Sequence, residues 1–398
     1  MSFSFNGYKE LPGKTKCLFV MKFFMAYQAV LMSLLSILFN DKLGLSISVT
    51  ARIMSAITVT GAVGIYLGGV IASKIGEKSA IRIFLVSAAV IYVIAGIVGN
   101  LKLFSGLFIM AIFAMMATGP ATETIISTAV ESRLHKKIFS FTYLGTNVGY
   151  GLWSLIITRV YSKYLSPVSF MGAAACVIML IAFEYFIRHG NWDVTTEQET
   201  ITQEPETNTF KLLRKNGMIL LAVTLFCIIY CQFGFTVPIR LNNLWGDAGV
   251  SLYGVLGVIN AAIVIVATPI VTSLVEKIKE KDLLAMAGIL YAVSFAVLCI
   301  PISQKWLYIV WVIIFTFGEI VYSVSLSAYI ASYNGAKERN KVFATSNACV
   351  LIGYVLGQNL TGLIPEDSVS INFTLISVLS FLVGIICFKC LKANAVKA

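Results

Sequence analysis

The sequence predicts an all-α membrane protein with twelve transmembrane helices in two pseudo-symmetric six-helix bundles. Three observations carry this expectation: an apolar composition, twelve apolar runs of spanning length, and short motifs that recur between the halves. Of 398 residues, 58% are hydrophobic and 12% charged, with a mean hydropathy of +0.87. Soluble domains carry roughly 25% charged residues, so the expected solvent is a lipid bilayer.

A spanning helix needs roughly 20 apolar residues. Runs of that length fall at 17–39, 48–72, 80–99, 104–130, 138–161, 166–187, 217–239, 251–275, 283–303, 306–333, 342–364 and 370–388. Lipid offers no hydrogen-bond partners, and the runs lack the period-two alternation of barrel strands, so each is read as a helix. The polar stretch between the sixth and seventh runs divides the chain into an N-terminal bundle (1–187), a linker (188–216) and a C-terminal bundle with its tail (217–398). Its Asp193, Glu197, Glu199, Glu204 and Glu206 lie among threonines, as in a solvated linker.

The formal charge is +11, but the thirty Lys and Arg are spread over short loops instead of forming one basic face, which argues against a nucleic-acid partner. Most fall on the side of both termini, including Lys74/Lys78/Arg82, Arg133/Lys136/Lys137, Lys277/Lys279/Lys281 and Lys337/Arg339/Lys341. The positive-inside rule therefore predicts a multi-pass cell-membrane protein with both termini cytoplasmic. The first apolar run follows Lys9, Lys14 and Lys16 and lacks a small-residue cleavage site, so it is read as a span. Six of the eight cysteines lie in or beside apolar runs; Cys387 and Cys390 form a C-x-x-C without a second ligand pair and are read as packing residues.

Lys137-Ile138-Phe139 recurs as Lys341-Val342-Phe343, Gly149-Tyr150 as Gly353-Tyr354, and the Lys74-to-Lys78 motif as Lys277-Ile278-x-Glu280-Lys281. These matches share nearly one offset and indicate a parallel repeat of two six-span halves. Gly145/Gly149 and Gly353/Gly357 form small-xxx-small faces suited to close helix packing.

The loop Gly69-Val-Ile-Ala-Ser73-Lys74-Ile-Gly76-Glu77-Lys78 resembles the G-x-x-x-D-R-x-G-R-K loop of the major facilitator superfamily. The glycines, Lys74 and Lys78 fit the pattern, while Ser73 and Glu77 replace its acid and arginine. This resemblance implies that superfamily's fold, alternating access, and a conformational role for Gly69, Ser73, Lys74, Gly76 and Lys78. Gln232-Phe-Gly-Phe-Thr-Val-Pro238-Ile-Arg-Leu-Asn242 and Gly318-Glu319-Ile-Val-Tyr322 are similar to segments of bacterial proton-coupled multidrug exporters. Gly-Glu in the tenth span also occurs in proton-coupled peptide transporters, but this chain lacks their Glu-x-x-Glu-Arg signature in the first span.

Ionisable side chains are costly in a bilayer core and usually face a cavity or a partner. Glu319 lies midway along the tenth span, Glu123 in the fourth and Lys22 in the first. A carboxyl group among apolar neighbours is suited to loading and releasing a proton, so Glu319 and Glu123 are the candidate coupling residues. The alternative for Glu319 is a neutral interhelical hydrogen bond. Lys22 and Glu123 lie at similar depth and can pair; the alternative for Lys22 is snorkelling to the interface. Tyr322 and Ser323 follow Glu319 on one helical face, continued by Tyr329 and Tyr333. With Lys22, Tyr27, Gln28, Asn147, Gln232 and Asn260, Tyr322 and Ser323 are the expected substrate-cavity residues; the amides are equally suited to tying helices together.

P-loop, H-E-x-x-H and G-x-S-x-G motifs in a plausible setting are absent, and His135 and His189 fall in loops. The sequence thus predicts no enzyme, no cofactor and no metal. It predicts a monomeric, proton-coupled secondary carrier of amphipathic or drug-like small molecules, working outward. Uptake of a small metabolite or peptide is the alternative within transport, and a non-transporting receptor or scaffold the alternative outside it.

Overall fold

The computed structural model describes residues 10–131, 134–161, 165–189, 209–275, 277–300, 304–334, 336–365 and 369–391. Most of the expected linker, together with Arg133 and the C-terminal tail, lies outside the described residues, and nothing is described of the side chains of Lys136 and Lys337. The helices are α1 Lys16–Ile37, α2 Ile47–Ile75, α3 Glu77–Ile97, α4 Leu101–Ala117, α5 Gly119–Thr128, α6 His135–Tyr161 and α7 Leu165–Arg188. They continue with α8 Thr209–Gly234, α9 Thr236–Trp245, α10 Asp247–Val275, α11 Glu280–Leu298, α12 Lys305–Tyr333, α13 Ala336–Gly362 and α14 Val369–Cys390. The helix α8 begins at Thr209, within the stretch 188–216 expected as the linker.

Among the described residues, ten helical segments are long and apolar enough to cross a membrane. The segments α6 and α13 are long enough but carry more polar residues, and they are not among the ten. Large apolar side chains stay exposed on the helices, Ile97 and Leu274 among them, as expected of surfaces whose solvent is lipid.

Local chemistry sets several helix boundaries. Asn100 caps α4, its Oδ1 accepting from the backbone N–H groups of Lys102 and Leu103 at 3.0 and 3.1 Å. Pro120 sits in the first turn of α5, where its missing N–H costs nothing, and the fourth span breaks at Thr118. The seventh span breaks at Phe235, three residues before Pro238.

The described chain forms two compact units, one of Met1–Leu43, Ala56–Ile201 and Trp245–Ala261, the other of Gly44–Ser55, Thr202–Leu244 and Ala262–Ala398. Within the first, α1 packs on α6 and α7, α3 on α4 and α7, and α5 on α6. Within the second, α8 packs on α13 and α14, α11 on α12 and α14, and α12 on α13. The five pairings correspond one to one, so the sequence repeat is also a packing repeat. The paired glycines make it possible: a Cβ on Gly149 would lie 2.9 Å from Cα of Phe23 in α1, and one on Gly353 2.5 Å from the Thr224 carbonyl in α8.

Glycine also explains why the start of α10 belongs to the first unit. A Cβ on Gly254 or Gly257 would lie 2.6 Å from the Ser154 carbonyl or 2.5 Å from its hydroxyl, both on α6. In the second unit Ser55 of α2 holds α13, accepting from Asn359 Nδ2 at 2.8 Å and donating to Gln358 Oε1 at 3.2 Å. Aromatic rings fill both interiors: Tyr27, Tyr92, Phe108 and Trp153 in the first, and Tyr291, Phe295, Trp311 and Phe315 in the second.

Candidate functional site

In the first unit, α1 and α5 bring Lys22 and Glu123 together as an ion pair. The two ends differ in environment, because the Lys22 side chain is only 14% exposed and that of Glu123 51%. The carboxylate borders a cavity of about 450 Å³ whose other walls include Met25, Gln28, Met32, Met115 and Met116. Gln28 is buried and donates from Nε2 to the Ile112 carbonyl at 3.3 Å. The chain passes from α4 to α5 at Thr118, whose hydroxyl donates to the Met115 carbonyl at 2.7 Å, five residues before Glu123.

The second unit holds Glu319 at the centre of α12. Tyr230 on α8 donates its hydroxyl hydrogen to Glu319 Oε1 at 2.9 Å. The Tyr230 ring lies 5.6 Å from that of Phe315 and 6.3 Å from that of Tyr354 on α13. Tyr322 is half-buried with its ring 4.5 Å from that of Phe226. The Ser323 hydroxyl donates to its own helix at Ile320, 3.1 Å away, and Tyr329 stacks on Tyr333. The polar face expected along α12 is therefore partly absorbed by local packing and hydrogen bonds.

Other sequence-predicted residues are placed apart from the cavity. Tyr27 is fully buried; its hydroxyl donates to the Val168 carbonyl and its ring meets Trp153 edge-on at 5.1 Å. Asn147 is half-buried and donates to Tyr143 of its own helix at 3.0 Å. Asn260 is buried on α10 within the first unit.

Gln232 has no exposed surface. Its Nε2 donates to the carbonyls of Ile228 and Gly357 at 3.1 and 3.3 Å, which fixes the orientation of the amide. Its Oε1 then accepts from Thr236, from Thr361 at 2.9 Å and from Asn372 at 3.3 Å. This arrangement ties α8, α9, α13 and α14 together across the seventh-span break.

Between α2 and α3, Gly76 turns the chain with φ of 83°, a left-handed conformation that disfavours other residues. Ser73 donates to the Val70 carbonyl at 2.8 Å, and Lys74 is exposed in the last turn of α2. Lys78 is half-buried, and a Cβ on Gly69 would find only ordinary contact with Pro120, at 3.7 Å. Tyr230, Met25, Met32, Met115 and Met116 were not predicted as site residues. Tyrosine and methionine inside apolar runs read as core, and only the fold shows which of them border Glu319 or an opening.

Repeated helical units of spanning helices, with a charged pair beside one cavity and a membrane-embedded carboxyl group in the other unit, define a membrane carrier. The family model of the Major Facilitator Superfamily matches residues 17–358 and 247–396, and the chain belongs to that superfamily. Its members are transporters, not enzymes. The chain is 20% identical over 297 residues to the uncharacterized MFS-type transporter YqjV of Bacillus subtilis, spanning 72% of this chain and 70% of that one. It is 19% identical over 266 residues to a Na(+), Li(+), K(+)/H(+) antiporter of Planococcus maritimus, spanning 60% of this chain and 61% of that one. Similar solved structures include the peptide transporter POT in complex with sulfate, with TM-score 0.73, 14% identity and coverage of 94% of each chain. An auto-inhibited POT family peptide transporter gives TM-score 0.75 at 12% identity, covering 97% of this chain and 99% of that one.

Proposed function

We propose that this chain is a proton-coupled secondary transporter that exports amphipathic, drug-like small molecules by alternating access. The observation that carries the reading is Glu319, a carboxyl group central in a spanning helix and held by Tyr230 at 2.9 Å. A carboxyl group in that setting has a donor to stabilise its charged form and apolar walls that favour its neutral form, the two states a proton carrier alternates between. The antiporter among its relatives supports exchange against protons. In this reading α6 and α13 are the remaining two of twelve spans; their polar residues serve helix packing and substrate. Both termini are cytoplasmic, the protein resides in the cell membrane, and it acts as a monomer.

A second reading, proton-coupled uptake of a small metabolite or peptide, is favoured by the likeness to peptide transporter structures. Direction separates the two. Purified protein in liposomes with an imposed pH gradient should move substrate against the proton flow if it is an exporter. Movement of substrate with the protons supports uptake, and the absence of movement under every gradient refutes both.

A further inference from the structure

We propose that the methionine-walled cavity of the first unit is a binding site for aromatic organic cations, with Glu123 as the acceptor of the cationic group. The inference rests on the reading that this chain carries small molecules, and it names the class. Four thioether side chains, Met25, Met32, Met115 and Met116, line one space of about 450 Å³, a volume suited to a small organic molecule. Thioethers are polarizable, flexible and favourable neighbours of aromatic rings, so this wall adapts to ring shape without demanding one geometry.

The charge that borders the cavity is the carboxylate. Lys22 lies behind it, mostly covered, and acts as the resident counter-ion of Glu123. An incoming cation can take over the exposed side of Glu123, whereas an anion of the same shape meets a like charge at the wall. Gln28 supplies a polar edge, but its Nε2 is already engaged by the Ile112 carbonyl. The site therefore discriminates by charge sign through Glu123 and by ring character through the methionines.

Two isosteric probes isolate the charge: tetraphenylphosphonium and tetraphenylborate. Tetrabutylammonium keeps the cation and removes the rings. Binding to purified protein in detergent, without any gradient, should favour tetraphenylphosphonium over tetraphenylborate. Glu123→Gln should weaken tetraphenylphosphonium binding about tenfold, the scale of one half-screened carboxylate–cation attraction. Glu123→Asp should retain the preference for the cation. Met25→Leu combined with Met32→Leu keeps volume and should reduce the preference for tetraphenylphosphonium over tetrabutylammonium by about threefold or more.

Thermal unfolding of each variant verifies that it remains folded. The proposal is overturned if folded wild-type protein binds tetraphenylborate as tightly as tetraphenylphosphonium, or binds neither. It is also overturned if folded Glu123→Gln protein binds the cation with unchanged affinity, and an unaltered ring preference in the double leucine variant removes the methionines from the site. None of these outcomes depends on proton coupling, so the transport reading stands or falls separately in the liposome experiment.

Discussion

Tyr230 and Glu319 lie on different helices, 89 positions apart in the chain, and meet through a hydrogen bond from the tyrosine hydroxyl to Glu319 Oε1 at 2.9 Å. The contact gives a carboxyl group inside a spanning helix a fixed donor on a neighbouring helix. A fixed donor steadies the carboxylate when charged, and the Tyr230 ring itself packs 5.6 Å from that of Phe315.

Tyr230→Phe removes only that donor. Net hydrogen bonds to charged groups are worth about 1.5–3 kcal/mol, and neutral ones about half of that. The substitution should therefore slow proton-driven transport several-fold with the protein still folded. In a double-mutant cycle with Glu319→Ala, the losses in unfolding temperature should not add, because the alanine has already removed the partner. Additive losses mean that the contact carries no energy.

The Lys22–Glu123 pair predicts an asymmetry. Glu123→Gln strands a mostly covered ammonium group, whereas Lys22→Met leaves a half-exposed carboxylate that solvent can reach. Glu123→Gln should lower the unfolding midpoint by roughly 2–4 °C, the scale of about 1 kcal/mol in a unit of this size. Lys22→Met should lower it less, and the double variant should recover part of the larger loss. Equal losses, or no recovery, exclude this account of the pair.

Glycine packing offers a contrast within the first unit. A Cβ on Gly149 would run into the Phe23 backbone, so Gly149→Ala should push α6 from α1 at a cost of about 1–3 kcal/mol. Gly106, exposed in α4, has nothing within 4 Å of its added Cβ. There Gly106→Ala should be neutral or stabilise by up to about 1 kcal/mol through helix propensity. Thermal unfolding in one detergent compares the two, and equal effects would rule out the close approach at Gly149.

These residues also show what a linear reading can reach. The glycine faces were legible because spacing alone brings Gly145 and Gly149, or Gly353 and Gly357, onto one side of a helix. Glu319 and the Lys22–Glu123 depth match were legible because charges stand out in apolar runs. Tyr230 was not, since a tyrosine in such a run looks like core until α12 is placed beside α8. Hydropathy also passes over the breaks at Thr118 and Phe235, because an interrupted backbone does not change side-chain polarity. Gln232 shows another limit: as a polar residue in a span it reads equally as a substrate contact or a tie between helices, and only the fold brings Thr361 and Asn372 from two other helices to its amide.

The decisive prediction concerns Glu319 itself, because it connects one atom group to the energy source. A proton carrier must change protonation in each cycle, whereas a structural carboxyl group can remain in one state throughout. Glu319→Gln preserves shape and still accepts the hydrogen bond from Tyr230, but it cannot titrate. It should lower gradient-driven accumulation of substrate to background, a loss of at least about tenfold for a residue that carries a coupling proton. Substrate binding and downhill exchange between the two faces should persist, since neither needs a net proton transfer. Liposomes loaded with substrate on one side, with and without an imposed pH gradient, measure both quantities on the same preparation. Accumulation at the wild-type rate with unchanged pH dependence removes Glu319 from coupling, and loss of exchange together with accumulation reassigns it to substrate binding or to the conformational cycle.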